Sequence, residues 1–291
     1  VAYGAFIKQP RSNTSVSGIF VLGHRGMLGH LLVACLQDAG FHVVTSEHRY
    51  TGAADDLLLD AVRESGCPWV INALGAIPQK EEDAQVLFRA NTQFPLHLLH
   101  ALRDGQRMIH ASTDCVFAGT RGQYRTNDST DAKDAYGLSK MLGEAVAMDP
   151  RVYCLRTSLI GPDLGSGWGL LAWFLQQQGT VNGFTNHRWN GVTTLEWART
   201  AMEIIQGTTS LSPGVTQLGT AESVSKFELL SLIAEVWAVE KELRPTAAPQ
   251  SINRTLVPDL VRPPLREQLL ELRQWILSHH HDQPRQNQRR P

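Results

Sequence analysis

A phenol and an ammonium stand four residues apart in Tyr136-Gly137-Leu138-Ser139-Lys140. In a helix, positions i and i+4 share one face. Tyrosine loses its proton at a pH of about 10 in water, and a cation held beside it favours phenolate and lowers that value. The pair is then expected to give or take a proton near neutrality. Upstream, residues 107–112 read as a buried strand that ends in Ser112 and presents the Thr113 hydroxyl. A hydroxyl there can hydrogen-bond a carbonyl or hydroxyl oxygen. Together these groups suit moving a proton on and off a carbon-bound oxygen, with a hydride supplied from elsewhere. A Tyr-x-x-x-Lys spacing is common in itself, so its meaning depends on a dinucleotide-binding signature earlier in the chain.

Such a signature is present. Residues 18–22 form a short apolar run, consistent with a buried parallel strand. Gly23-His24-Arg25-Gly26-Met27-Leu28-Gly29 follows, then a helical pattern over 30–40 that stops at glycine. Strand, glycine turn and helix together bring a pyrophosphate to backbone N–H groups at a helix N-terminus. The spacing is Gly-x-x-Gly-x-x-Gly rather than Gly-x-Gly-x-x-Gly. Residues 41–45 read as the second strand, whose end usually decides how the adenosine ribose is bound. A carboxylate there accepts from the 2′-hydroxyl, whereas an arginine takes a 2′-phosphate. Arg25 and Arg49 tilt the choice to NADPH, and Glu47 keeps NADH open.

The alternation continues. Residues 54–65 read as a helix and 69–74 as a core strand in which Asn72 needs a partner. Ala73, Leu74 and Gly75 leave that strand at its carboxyl end, where ligand crevices of α/β sheets form. One long helix is predicted over 82–104, with Asn91 in its middle as either a buried hydrogen-bonding post or an exposed side chain. A polar loop over 118–133 should cover the site, the helix bearing Tyr136 and Lys140 runs to about Met148, and 151–156 is another strand. Residues 18–158 therefore predict a Rossmann-type, doubly wound parallel sheet.

Beyond 160 the composition shifts to tryptophan, glycine and asparagine. Trp173 reads as core; Trp168 and Trp189 are open between core packing and stacking on a sugar or base. Helices are predicted near 195–207, 224–240 and 264–278, and a late strand over 214–219. The expected organisation is a cofactor domain over 18–162, completed by parts of 193–219. A smaller C-terminal α/β substrate lobe takes 163–192 and 220–278. Residues 1–17 and 279–291 read as flexible tails, the first without the apolar core of a secretory signal.

The 291 residues carry a net charge of −1, which gives no general attraction to nucleic acid or to an anionic membrane surface. No apolar run reaches the roughly 20 residues a spanning helix needs. Cys35, Cys67, Cys115 and Cys154 form no Cys-x-x-Cys pair, which predicts free thiols in a reducing, cytoplasmic compartment and no structural zinc. The terminal run beginning at His279 is read as tail rather than as a metal site.

These motifs in this order resemble the extended short-chain dehydrogenase/reductases, specifically the dTDP-4-dehydrorhamnose reductase group. Ser112-Thr113-Asp114-Cys115-Val116-Phe117, with Gly119, Gly122 and Tyr124, is similar to that group's Ser-Thr-Asp-Tyr-Val-Phe segment. Tyr136 to Lys140 with Gly143 and Glu144, Leu155 to Ser158, and Asn190 to Thr194 match further on, and the glycine turn also resembles that of GDP-fucose synthase. The resemblance implies a catalytic trio of Thr113, Tyr136 and Lys140. It implies cofactor contacts from Gly23, Arg25, Gly26, Met27, Leu28, Gly29, Arg49, Ala73, Leu74, Gly75, Asn91 and Ser112, with Tyr136 and Lys140 shared. Asp114, Cys115 and Asn190 are the implied substrate contacts, to a nucleotide-linked sugar lying between the lobes. Cys115 departs from the group's tyrosine. It also differs from the acidic residue usual in the related dehydratases, which disfavours dehydration. The implied activity is reduction of a 4-keto-6-deoxy sugar nucleotide. The alternatives are an epimerase of the same superfamily, or a regulatory subunit like that of methionine adenosyltransferase; a homodimer is admitted.

Overall fold

The computed structural model describes residues 18–279 except 165, 166 and 168, so the tail predicted for 1–17, that for 279–291 apart from His279, and Trp168 lie outside the described residues; His279, read as the start of the tail, is instead the last residue of a helix. The first half alternates as the sequence predicts: β1 (Ile19–Leu22), α1 (Met27–Asp38), β2 (Val43–Val44), α2 (Leu57–Glu64), β3 (Trp69–Asn72), α3 (Ala84–Phe88), α4 (Phe94–Ala101), β4 (Arg107–Ser112), α5 (Ala135–Gly143) and β5 (Val152–Arg156). Then come β6 (Leu159–Ile160), α6 (Leu170–Gln176), β7 (Val181–Phe184), β8 (His187–Trp189), β9 (Val192–Thr193), α7 (Thr194–Gln206) and β10 (Gly214–Thr220). The chain closes with β11 (Val224–Ser225), α8 (Lys226–Trp237), β12 (Leu243–Thr246), β13 (Ile252–Asn253), β14 (Leu260–Arg262) and α9 (Leu265–His279).

Among the described residues the central sheet has seven strands in the order β14-β10-β5-β4-β3-β1-β2, and every pairing in it is parallel. All four residues of β1 and all five of β5 are buried, because helices cover both faces of a parallel sheet and apolar runs need not alternate. On one face α1 and α7 pack Leu31, Leu32, Trp197 and Ala201 against Val21, Ile71 and Leu155. On the other, α2 and α4 pack Leu59, Val62, Phe94 and Leu98 against Phe20, Val70 and Met108. The second lobe is built on β8 between β11 and β13, on the β7–β12 pair and on α6 and α8.

Four details depart from the sequence reading. The single helix predicted over 82–104 is two helices joined by a π-turn, Arg89–Gln93, with Asn91 inside it. The helix of Tyr136 and Lys140 ends at Gly143 and tightens into a 3₁₀ segment, Glu144–Met148. The sheet recruits Leu260–Arg262, which the sequence reading placed in the substrate lobe; β14 pairs with Leu218–Thr220 of β10. Trp173, read as core, is 38% exposed on α6, because only Leu171 and Phe174 of that helix turn inward.

Candidate active site

Thr113 lies directly beyond the carboxyl end of β4 and caps a 3₁₀ turn, Asp114–Val116. Its hydroxyl accepts from the Cys115 N–H (3.2 Å) and donates to Asp114 Oδ1 (3.1 Å). The helix α5 begins behind it, capped by Asp134, whose carboxylate accepts from the Gly137 N–H (2.8 Å). Two glycines let α5 lie against backbone. A Cβ at Gly137 would stand 2.4 Å from the Cys115 carbonyl oxygen, and one at Gly143 would stand 2.0 Å from that of Asn91. This close seating brings Tyr136 beside Thr113, with Lys140 one turn on.

The electrostatics differ from the sequence expectation. Burial raises the Tyr136 phenol above its usual range; Cys115, Asp114 and Asp134 push the same way, and the neighbouring Thr113 hydroxyl pulls against them. Burial lowers the Lys140 ammonium, with Cys154, Glu144 and Cys115 opposing. The net shift of the phenol is thus upward, and the Lys140 Nζ donates to the Ala111 carbonyl oxygen (2.6 Å) near the end of β4. Cys115 is itself pushed up to about 12 by burial and by Asp114, so its thiol is a polar packing group and not a nucleophile.

Two buried networks hold these groups. Asn91 clamps the loop after β3: its Nδ2 donates to the Ala76 carbonyl (2.9 Å) and to Ser139 Oγ on α5 (3.0 Å), while its Oδ1 accepts from the Ala76 N–H (3.0 Å). Asn91 is thus a buried post rather than an exposed side chain. In the second network, Ser112 Oγ donates to Glu144 Oε1 (2.6 Å), and Arg156 grips the same carboxylate through Nε (2.9 Å) and Nη2 (2.6 Å). Arg156 also donates to Gln217 Oε1 (3.0 Å), and Gln217 Nε2 donates to the carbonyls of Tyr124 (2.8 Å) and Val257 (3.0 Å). Asn72 finds its partner in His110 Nδ1 (3.0 Å).

A cavity of about 430 Å³ opens at the carboxyl ends of β1, β2 and β3, where the strand order reverses between β2-β1 and β3-β4. This is the switch point at which open α/β sheets bind ligands. Gly23, Arg25, Gly26, Arg49, Ala73, Leu74 and Gly75, the cofactor contacts that the resemblance implies there, line it. Gly26, which lines it, is the N-cap of α1, and no side chain caps the first turn, which leaves N–H groups able to receive an anion. Gly29 permits that turn, since a Cβ there would lie 2.1 Å from the Gly23 carbonyl oxygen. The donor set thus fits the diphosphate of a dinucleotide. Met27, Leu28 and Gly29 belong to this first turn without lining the cavity, and Asn91, Ser112, Tyr136 and Lys140 lie outside its lining.

Asn190 stands apart from the other candidates. Its amide is spent on the Thr220 and Leu256 carbonyls (3.2 and 2.9 Å) and the Leu256 N–H (3.0 Å), so it fastens β10 to the segment before β14. Trp189 is buried, with its indole N–H on Ser158 Oγ (2.8 Å). Lys226 and Arg254, which the sequence reading did not single out, face Asp114 from the second lobe and oppose the rise that burial imposes on its carboxyl. Arg89 was also missed; it lines the cavity, and the sequence signal for it is the four-residue spacing Arg89, Gln93, His97. Among the described residues no group of His, Cys, Asp and Glu is gathered to hold a metal ion, and no helix is long and apolar enough to cross a membrane.

A family model described as the RmlD substrate binding domain matches residues 17–279. Among curated proteins, the chain is 33% identical over 134 residues to the spore coat polysaccharide biosynthesis protein SpsK of Bacillus subtilis, covering 43% of this chain and 46% of that one. It is 29% identical over 152 residues to a dTDP-4-dehydrorhamnose reductase of Mycobacterium tuberculosis, covering 49% and 50%. The chain thus spans about half the length of the curated relatives it matches. A dTDP-4-dehydrorhamnose reductase of Bacillus anthracis, solved in complex with NADP, superposes with a TM-score of 0.79 at 17% identity, over 90% of this chain and all of that one. One from Clostridium acetobutylicum superposes at 0.75 and 20% identity, over 89% and 99%. At such identities the superpositions establish the shared fold.

Proposed function

This chain belongs to the RmlD substrate binding domain family, and from that premise we propose that it is a cytoplasmic, NADPH-dependent reductase of a nucleotide-linked 4-keto-6-deoxy sugar. The observation that carries the reading is the convergence of Thr113, Tyr136 and Lys140 beyond the end of β4, on the same carboxyl edge of the sheet as the dinucleotide-sized cavity. The relatives with NADP or NADPH bound support the cofactor, and a solved relative in complex with UDP-glucose and NAD keeps NADH as the alternative.

The α1 N-terminus and the glycine turn would hold the diphosphate, and Arg49 the adenosine 2′-phosphate. When bound, the reduced nicotinamide supplies the hydride. Thr113 hydrogen-bonds the substrate carbonyl oxygen and fixes its direction. Tyr136 donates the proton that neutralises charge growing on that oxygen. Lys140, anchored on Ala111, orients the ribose on the nicotinamide side. The substrate lies between the lobes, against Asp114 and Cys115 on one side and Lys226 and Arg254 on the other, with the described residues of 163–192 on the substrate side. The second lobe's cations suit a nucleoside diphosphate. The gathered trio favours catalysis over a regulatory role, since a binding subunit has no use for a positioned proton donor.

The test is a panel of 4-keto sugar nucleotides offered with NADPH, with loss of NADPH fluorescence and the product both measured. Turnover with none of them would sink the reading. The same assay carries a pH prediction. A raised Tyr136 value means that the proton-bearing phenol persists to higher pH. Reduction should therefore hold a level kcat beyond pH 9 and fall only above the usual tyrosine value of about 10. The reverse oxidation, which needs phenolate, should rise with pH over the same range. A kcat for reduction that falls between pH 6 and 8 would contradict a buried, neutral phenol.

A further inference from the structure

The cavity at the strand ends carries more positive charge than one sequence motif supplies. Arg25 and Arg49 come from the glycine turn and the end of β2, and Arg89 reaches it from the π-turn between α3 and α4. These three cations are not equivalent. Arg25 is in an ion pair with Glu47, and His24 Nε2 lies 3.3 Å from the same carboxylate. That corner of the cavity is already neutralised. The side chains of Arg49 and Arg89 have neither hydrogen bond nor ion pair within the described residues.

Arg89 is also held in place. Arg89, Gln93 and His97 follow one another at four-residue spacing and grip the loop that carries Arg49. The Arg89 stem lies on Gly52, where a Cβ would meet its Cδ at 3.4 Å. Gln93 Nε2 donates to the Gly52 carbonyl (2.9 Å). His97 Nδ1 bonds the Tyr50 hydroxyl (2.8 Å) and approaches the Ala53 carbonyl (3.3 Å). Behind them, Asn91 fixes the π-turn to the loop after β3 and to α5. The Arg89 side chain therefore reaches the cavity from a braced element and lies against the loop that carries Arg49.

We infer that Arg89 and Arg49 together form the clamp for the adenosine 2′-phosphate, and that the Arg25–Glu47 pair stands beside the clamp rather than in it. A phosphate monoester dianion has oxygens enough for two guanidinium forks, and each fork donates in pairs. The ribose 2′-hydroxyl of NADH offers nothing comparable, so Arg89 discriminates between the cofactors. This assignment rests on the NADPH reading above.

The experiment is equilibrium titration of the full chain with NADPH, NADH, 2′,5′-ADP and 5′-AMP, followed by protein and nucleotide fluorescence or by heat. The variants are Arg89→Ala, Arg89→Lys, Arg49→Ala and the double variant Arg25→Gln/Glu47→Gln, which removes a pair of no net charge. Arg89→Ala should weaken 2′,5′-ADP and NADPH about 10- to 100-fold, the size of a charge-assisted hydrogen bond, with 5′-AMP and NADH almost unchanged. Arg89→Lys should recover part of the loss, and added salt should weaken NADPH more steeply than NADH in the unmodified chain, an excess that should shrink in Arg89→Ala. The double variant should keep the preference for 2′,5′-ADP. Equal losses for phosphorylated and unphosphorylated ligands, or loss of the preference in the double variant alone, would overturn the assignment. A chain that prefers NADPH with Arg89→Ala unaltered overturns this inference and spares the cofactor reading, whereas a chain that binds neither dinucleotide overturns both.

Discussion

Tyr136→Phe is expected to lower kcat for reduction by about 10²–10⁴-fold, the usual range for a positioned acid, while the dinucleotide binds as before. The substitution removes one oxygen and little volume, and the phenol oxygen is not among the groups that hold α5 in place. That helix is seated by Gly137 and Gly143 and pinned through Ser139 to Asn91. The ring therefore stays, and only the proton is lost. Thr113 still hydrogen-bonds the substrate oxygen, so residual turnover should remain and should fall further in the Tyr136→Phe/Thr113→Val double variant. Single-turnover hydride transfer, measured beside a cofactor titration, separates the two effects. If Tyr136→Phe transfers hydride at the unmodified rate, the site is misassigned and a regulatory role becomes the better account.

Arg156→Met should cost about 3–5 kcal/mol of folding stability, because it strands a buried carboxylate. Arg156 and Glu144 are 3% and 8% exposed, and two of the guanidinium nitrogens meet that one carboxylate. The loss would reach the site as well, since Glu144 also accepts from Ser112, the residue before Thr113. Urea unfolding of Arg156→Met, Glu144→Leu and the double variant is the measurement. The double variant should recover much of the loss, since the charge that the single change leaves unpaired is then gone. A penalty below about 1 kcal/mol for Arg156→Met, the scale of an exposed pair, would show that water reaches the carboxylate.

Much of this was legible before any coordinates. Strands buried on both faces are written as continuous apolar runs, so β1, β3, β4 and β5 read clearly, and the glycine turn between β1 and α1 gave the cofactor edge. The pairing of Tyr136 with Lys140 is legible because four-residue spacing is local to one helix. The failures are of another kind. A π-turn adds to a helix without breaking its apolar pattern, so the bend at Arg89–Gln93 left no trace, and with it Arg89 went unnoticed. The strand β14 is three residues long between prolines, and only its partner β10 makes it a strand. Trp173 was assigned to the core from residue type, although helical periodicity does not say which face turns to solvent. Asn190 was marked as a substrate contact, but its amide is consumed by backbone groups distant in sequence. For Tyr136 and Lys140 the spacing indicates a shared helix face, while the direction of the phenol's shift depends on burial and on Cys115 and Asp114, which only the fold brings to it.

The late return of the chain to the sheet bears on how such a protein can change over generations. Because β14 closes the sheet edge only after the whole second lobe has been traversed, and Gln217 and Asn190 stitch that return to both halves, the lobes are not exchangeable cassettes. A gene rearrangement that swapped the second lobe for another would strip an edge strand from the first and take the Val257 carbonyl from Gln217. On the proposed reading of the site, new substrate preference in such a chain would arrive by single substitutions at positions such as 115, 226 and 254, with the seam between the lobes inherited intact.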